Sequence, residues 1–131
     1  MMLLFLTFSM SLTAQNEKLI GSWSGESKGE AGTIIFDADG FITFIIDGNS
    51  MGGKEFDVDG QKGSMSYVVD YSESPYPVEI LIKIQDMDAG KIYGFIDVLD
   101  EDTIKMATGM MNQKITAITE DNSIVLSRDK E

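Results

Sequence analysis

Apolar and polar residues alternate along most of the chain after Ile20, with the period of two that is typical of β-strands. The clearest stretch is 78–84, where four apolar β-branched residues share one face and Glu79 and Lys83 lie on the other. No window shows a sustained helical period. The alternation predicts strands at 54–58, 64–70, 103–108, 114–119 and 123–128, while 33–37, 41–47 and 92–98 are apolar on both faces.

Turn signals separate these strands at short and regular intervals. Asp39-Gly40, Asp47-Gly48 and Asp59-Gly60 are typical of hairpins, because Gly accepts a positive φ without steric cost. Further turns are predicted at 86–90, 100–102 and 120–122, and only 71–77 makes a longer irregular connection. We therefore predict an all-β protein whose antiparallel up-and-down meander closes into a barrel of about 8–10 strands, since closure removes exposed edges.

The first strand opens with the segment 19–25, in which Gly21 and Trp23 form a Gly-x-Trp pattern. This opening, with segments 34–40 and 100–105, resembles the lipocalin and calycin barrels, in particular small secreted bacterial lipocalin-like domains. The resemblance extends from Leu19 to Arg128 and implies the same closed barrel. Because that family contains carriers, inhibitors and enzymes, the fold does not by itself fix the function.

The resemblance also implies a structural role for three residues. In lipocalins the Trp seals the closed end of the barrel, and a basic residue from the last strand packs over it. Trp23 is the single Trp of the chain and Arg128 ends the last predicted strand. We expect Gly21, Trp23 and Arg128 to form this structural cluster, in which a guanidinium over an indole contributes about 0.5–2 kcal/mol.

Residues 1–15 differ from the rest of the chain, because all of the charged side chains fall at Glu17 or later. The apolar run at 3–12, followed by small and polar residues, is typical of a secretory signal peptide. It is shorter than the roughly 20 residues that a membrane-spanning helix needs. We therefore predict a signal peptide at 1–15, a barrel domain at 16–131 and a periplasmic or secreted location. The alternative is a buried N-terminal strand or helix.

Composition excludes several kinds of chemistry. The 131 residues include no Cys and no His, so disulfides, thiolate nucleophiles, Ser-His-Asp triads and Cys- or His-ligated metals are absent. The net charge of −12 argues against binding to nucleic acid. No nucleotide-binding or hydrolase fingerprint is present. We predict that the protein is not an enzyme, with no catalytic residue and no cofactor.

The acidic turns also fail as calcium loops of the EF-hand type. An alignment on Gly40 places Ile35 and Ile46 at the first and last ligand positions, and the other candidate loop fails in the same way. Turn chemistry explains these acids better than metal binding does. We predict no metal site.

Binding in the barrel is the leading functional hypothesis. The four tyrosines, at 67, 71, 76 and 93, are able to place hydroxyls at the mouth, and thioethers suit a pocket for varied apolar ligands. The alternative for the methionines is ordinary core filling with an exposed Met-Met loop, and the alternative for the tyrosines is that they are ordinary strand and loop aromatics. We predict that a small apolar or amphipathic ligand binds in a site lined by Phe36, Tyr67, Tyr93 and Met106. The second hypothesis is a protein partner that binds an exposed apolar face of strand 41–46 or 92–98, with a filled barrel.

Overall fold

Ten strands form one antiparallel sheet in the computed structural model, which describes residues 18–27 and 29–129. The strands are β1 (Gly21–Ser27), β2 (Glu30–Phe36), β3 (Ile42–Ile46), β4 (Asn49–Gly52), β5 (Phe56–Val58), β6 (Gln61–Val69), β7 (Tyr76–Ile84), β8 (Met87–Asp100), β9 (Thr103–Thr108) and β10 (Ser123–Arg128).

The sheet is an up-and-down meander that curls into a nearly closed barrel. From β1 to β4 and from β5 to β10, consecutive strands are paired, and β1 also pairs with β10. The gap beyond β4 is bridged to β6, since the backbone N–H of Met65 donates to the carbonyl of Gly53 and that of Tyr67 to the carbonyl of Gly40, both at 2.9 Å. The predicted all-β fold class and antiparallel barrel are confirmed.

Two of the three predicted Asp-Gly hairpins form two-residue turns, and Asp39-Gly40 lies in the longer connection between β2 and β3. At Asp47-Gly48 and Asp59-Gly60 both residues have positive φ, which matches the right-handed twist of the flanking strands. Gln85 and Asp86 also have positive φ, at 53° and 64°. The turn predicted at 86–90 is therefore misplaced, because two residues reverse the chain and β8 begins directly at Met87.

The strand predicted at 114–119 does not form, and that prediction is wrong. Because β9 pairs directly with both β8 and β10, neither of the strands that this segment connects has a free edge beside it. The segment belongs to a long connection anchored by polar contacts instead: the Asn122 side chain accepts from the Thr119 N–H at 2.8 Å and donates to the Ala117 carbonyl at 3.0 Å.

The middle of the barrel is filled with side chains. The largest fully buried residues come from eight strands, all except β4 and β5, and they include the single Trp and Phe36. They are Trp23, Phe36, Ile42, Met65, Val78, Ile80, Ile96, Ile104, Met106 and Leu126. Inside the described part of the barrel, space for a ligand therefore lies toward the two ends.

The predicted signal peptide at 1–15 lies outside the described residues. Among the residues that are described, no helix has the length and apolar character needed to cross a membrane.

Candidate functional site

One end of the barrel is organised around Trp23 and Arg128, and we refer to it as the tryptophan end. The two residues are register partners on β1 and β10, and the Arg128 Cζ lies 4.1 Å from the centroid of the Trp23 ring. The indole is 1% exposed, and its N–H donates to the Leu19 carbonyl at 2.9 Å. The aromatic face thus carries a guanidinium, while its polar atom is satisfied by the short segment before β1.

The guanidinium of Arg128 also fastens two segments to this end. Its Nη1 donates to the Ile20 carbonyl at 3.0 Å, and its Nε lies 3.4 Å from an Asp102 carboxylate oxygen. Gly21 has a φ of +133°, and a Cβ there would lie 3.1 Å from Nη1. The structure therefore brings together Gly21, Trp23 and Arg128, the three residues that were assigned a structural role from the sequence.

A pocket of about 560 Å³ opens beside this cluster. The β6–β7 connection and the first residue of β7 supply aromatic rings, the β8–β9 hairpin supplies carboxylates, and β1 with its preceding segment supplies the floor. Its lining residues are Lys18, Leu19, Trp23, Tyr71, Tyr76, Val98, Asp100, Glu101, Asp102, Ile104 and Arg128. The volume falls within the range of about 300–1,000 Å³ that is typical of small-molecule sites.

Two tyrosines form the aromatic wall of the pocket. Tyr71 and Tyr76 pack edge to face, with ring centroids 5.0 Å apart. The Tyr71 hydroxyl is buried and has no hydrogen-bond partner among the described residues. Burial, and to a smaller degree the neighbouring Tyr67 and Tyr76, raise the pKa of Tyr71 to about 12. The phenol is therefore neutral at ordinary pH, and its hydroxyl forms no hydrogen bond with the described residues.

The polar rim of the pocket carries more negative than positive charge. Asp100, Glu101 and Asp102 lie on it with Lys18 and Arg128. Asp102 is paired with Arg128, and Asp100 accepts a hydrogen bond from the Asp102 backbone N–H at 2.9 Å. Among the described residues neither Asp100 nor Glu101 has a cationic partner within salt-bridge distance. The same residues contain no group of three acids placed to hold a metal ion.

The opposite end of the barrel holds a second, smaller pocket of about 340 Å³. Inward side chains of β2, β3, β9 and β10 line it, and the turn before β10 forms its polar rim. The lining comprises Gly32, Thr33, Ile34, Phe44, Ile46, Met106, Thr108, Asp121, Asn122, Ser123, Ile124 and Leu126.

A third, broad groove of about 900 Å³ lies at the hairpins of β5–β6 and β7–β8. Lys54, Lys62 and Lys83 line it, and Lys62 is paired with Glu55 at 3.3 Å. Because both partners of that pair are mostly exposed, the groove presents a solvated surface rather than an enclosed apolar volume.

The four residues predicted to line a ligand do not share one cavity. Phe36 and Tyr67 contact each other edge to face at 5.0 Å, and the Tyr67 hydroxyl donates to the Asp37 carbonyl at 3.2 Å. Met106 is buried and borders the smaller pocket. Tyr93 is the register partner of the exposed Glu79, on the face of the sheet opposite to the buried Ile80 and Ile92 side.

Most residues of the pocket at the tryptophan end are not predicted from the sequence. Tyr71 and Tyr76 are not among the four residues predicted to line a ligand site, although both lie in segment 71–77, which the pattern predicts as the longer irregular connection. The acids of the β8–β9 hairpin were interpreted as a turn alone. Their signal was the run Asp100-Glu101-Asp102, which joins strands that both point apolar residues, Val98 and Ile104, toward the pocket.

Fold and site together define a small, nearly closed antiparallel β-barrel with a pocket at each end. No protein-family model matches the sequence, and no curated protein matches it either. The structure is similar to the crystal structure of Tp0751 (Pallilysin) from Treponema pallidum, with a TM-score of 0.53 and 12% sequence identity over 87% of this chain and 82% of that chain. At this identity the likeness shows the fold alone.

Proposed function

We propose that this barrel binds a small amphipathic molecule, without catalysis, in the pocket at the tryptophan end. The observation that carries the proposal is the pocket itself: about 560 Å³ walled by Trp23, Tyr71 and Tyr76, with charged groups at its rim. Aromatic walls stabilise an apolar body, and rim polar groups orient the other part of the ligand. The unpartnered Tyr71 hydroxyl adds a donor or acceptor for that molecule.

We propose binding without catalysis because the described residues that line the pocket include no Cys, His or Ser and no pair of groups arranged as nucleophile and base. Burial raises the pKa of Tyr71 to about 12. The phenol is therefore protonated near neutral pH and is a poor general base. The carboxylates lie at the exposed rim. Binding through shape and aromatic contact is the use that remains, and residues 1–15 lead us to propose that it takes place in the periplasm or outside the cell.

The alternative function, a protein-interaction module, draws support from the filled middle of the barrel. It requires an apolar outer face on β3 or on the second half of β8. Ile46, Val98 and Leu99 are about half exposed at the ends of these strands. Two of them border the two end pockets rather than a flat outer patch. We therefore rank ligand binding first.

A neutral fluorescent dye, N-phenyl-1-naphthylamine, tests the proposal. Val98 borders the larger pocket and Ile46 the smaller one, and both side chains are exposed by nearly half, at 45% and 48%. Val98→Trp therefore fills one pocket and Ile46→Trp fills the other. The two variants are matched, because each adds an indole ring at a position that is about half exposed. We expect the dye to bind the wild type with a Kd of about 1–100 μM, to bind Ile46→Trp equally, and to bind Val98→Trp at least about tenfold more weakly.

The proposal fails if the dye does not bind the wild-type protein. It also fails if Val98→Trp binds the dye as well as the wild type does. Loss of binding in Ile46→Trp alone would move the site to the opposite end of the barrel.

A further inference from the structure

We infer that the pocket at the tryptophan end selects amphipathic cations, such as alkylammonium ions, over anions with the same apolar body; this inference rests on the proposed function. The geometry that carries it is the position of each charged group around the aromatic walls.

Arg128 is not available to an anionic ligand. Its Nη1 donates to Ile20, its Nη2 donates to the carbonyl of Lys18, and its Nε lies 3.4 Å from Asp102. The guanidinium also stacks on Trp23. An anion would have to displace these contacts, which hold the segment before β1 and the β8–β9 hairpin in place.

Of the rim charges without an ion-pair partner among the described residues, Lys18 contributes one positive charge and the carboxylates of Asp100 and Glu101 contribute two negative ones. Neither carboxylate lies within salt-bridge distance of a Lys or Arg among the described residues. The Asp100 carboxylate accepts one hydrogen bond from the Asp102 N–H, and both residues are exposed to water at the mouth. A ligand with its tail inside the pocket would place its head group near them, where a positive charge is attracted and a negative one repelled.

The aromatic walls act in the same direction. The faces of tyrosine and tryptophan rings attract cations through their quadrupoles. Tyr71 and Tyr76 pack at an interplanar angle of 70°, so their two faces point in different directions and enclose a corner of the pocket. An ammonium group at the mouth thus meets carboxylates on one side and ring faces on the other.

A series with one tail and three heads tests this inference: n-octylammonium, n-octanol and n-octanoate, titrated into the full chain by calorimetry at neutral pH and low ionic strength. We expect n-octylammonium to bind about tenfold more tightly than n-octanoate, with n-octanol between them. The difference shrinks at high salt because the carboxylates are exposed.

A pair of double variants separates the local effect from the overall charge of the protein. Asp100→Asn with Glu101→Gln removes two negative charges from the pocket rim, and the new amide at 100 still accepts the Asp102 hydrogen bond. Glu120→Gln with Asp121→Asn removes two charges at the opposite end. We expect the first pair to reduce the ammonium-to-octanoate preference to about threefold or less, and the second pair to leave it unchanged.

Equal or tighter binding of n-octanoate overturns the inference and leaves the binding function standing. An unchanged preference in the rim variant also overturns it, since the carboxylates would then contribute nothing. If none of the three compounds binds, or if all three bind Val98→Trp as tightly as the wild type, the proposed function itself fails.

Discussion

Arg128 stacks on the indole of Trp23 across the pair of strands that joins the two halves of the barrel. The two residues are register partners on β1 and β10, and the guanidinium carbon lies 4.1 Å from the ring centroid. Arg128 also binds the Ile20 carbonyl and Asp102. One side chain therefore ties the first strand, the last strand and the β8–β9 hairpin to a single ring.

This relationship predicts that Arg128→Ala lowers the free energy of unfolding by about 2–3 kcal/mol, since a cation–π contact and charged hydrogen bonds are lost together. Arg128→Lys is expected to recover less than half of the loss, because an ammonium cannot reproduce the planar fork. Urea denaturation followed by circular dichroism measures both changes. Lys62→Met, which removes an exposed pair with Glu55, is the control and should change stability by less than about 0.5 kcal/mol. A loss of similar size in Arg128→Ala and the control would contradict the prediction.

Two directly paired glycines on β1 and β2 should respond in opposite ways to the same substitution. A Cβ at Gly25 would lie 2.2 Å from the Val125 carbonyl oxygen, so Gly25→Ala must open the β1–β10 pairing. Its partner Gly32 has only one atom within 4 Å of such a Cβ, at 3.9 Å. We expect Gly25→Ala to destabilise by about 3 kcal/mol and Gly32→Ala to be neutral or stabilising by up to about 1 kcal/mol. Equal effects in thermal denaturation would show that the close approach is not a constraint.

The buried hydroxyl of Tyr71 gives a prediction about pH. Since the pKa of Tyr71 is raised from 10.0 to about 12, the folded protein binds its proton more tightly than the unfolded chain does. The contribution of the protonated Tyr71 hydroxyl to the free energy of unfolding is therefore full below pH 10 and is lost as the pH rises toward 12. Urea denaturation at a series of pH values should show this fall, and Tyr71→Phe should reduce it.

The same variant tests whether the hydroxyl is costly to the fold. At neutral pH, Tyr71→Phe should raise the free energy of unfolding by about 1 kcal/mol, because an unpartnered buried donor is removed. Tyr93→Phe is the matched control on the outward face, where the ring lies under the Lys114 ammonium at 5.4 Å. A loss of more than about 1 kcal/mol in Tyr71→Phe would mean that the hydroxyl is satisfied in the folded protein.

The turn between β7 and β8 is an available site for stabilisation. Gln85 and Asp86 both adopt positive φ, a conformation that costs energy for residues with a Cβ. Replacing the pair with Asn-Gly should stabilise by about 1 kcal/mol and raise the Tm by about 3–5 °C. Asp59→Asn is the control, since that turn already has Gly at its second position. An unchanged Tm in the Asn-Gly variant would contradict the assigned turn type.

The alternating strands and Asp-Gly turns were predictable because each depends on local chemistry. β7, β9 and β10 bury one face, and a period of two marks that face directly in the sequence. β4 was not predictable, since Asn49–Gly52 has no apolar alternation and becomes a strand only when the preceding turn returns it against β3. The failed strand at 114–119 has suitable residues, but β9 and β10, the strands that it connects, are each already paired on both sides.

The site was harder to predict for a physical reason. In a strand that is apolar on both faces, such as the second half of β8, periodicity does not say which face is inside, and the register assigns Ile92 and Ile96 to the core rather than Tyr93. Tyr71 lies in a loop, where no period applies at all. Its burial follows from closure of the barrel, which brings the β6–β7 connection beside Trp23 and the β8–β9 hairpin.

The central claim is that a small amphipathic molecule occupies the tryptophan end, and the indole N–H of Trp23 reports on it directly. Because the chain has one Trp, its indole signal is unique in a ¹H–¹⁵N spectrum of the full labelled protein. Titration with n-octylammonium should move this signal and the backbone amides of Tyr71, Tyr76 and Glu101 in a saturable way, while the amides of Thr108 and Ser123 at the opposite end stay in place. Saturable shifts confined to Thr108 and Ser123, or no saturable shift at all, would contradict the claim.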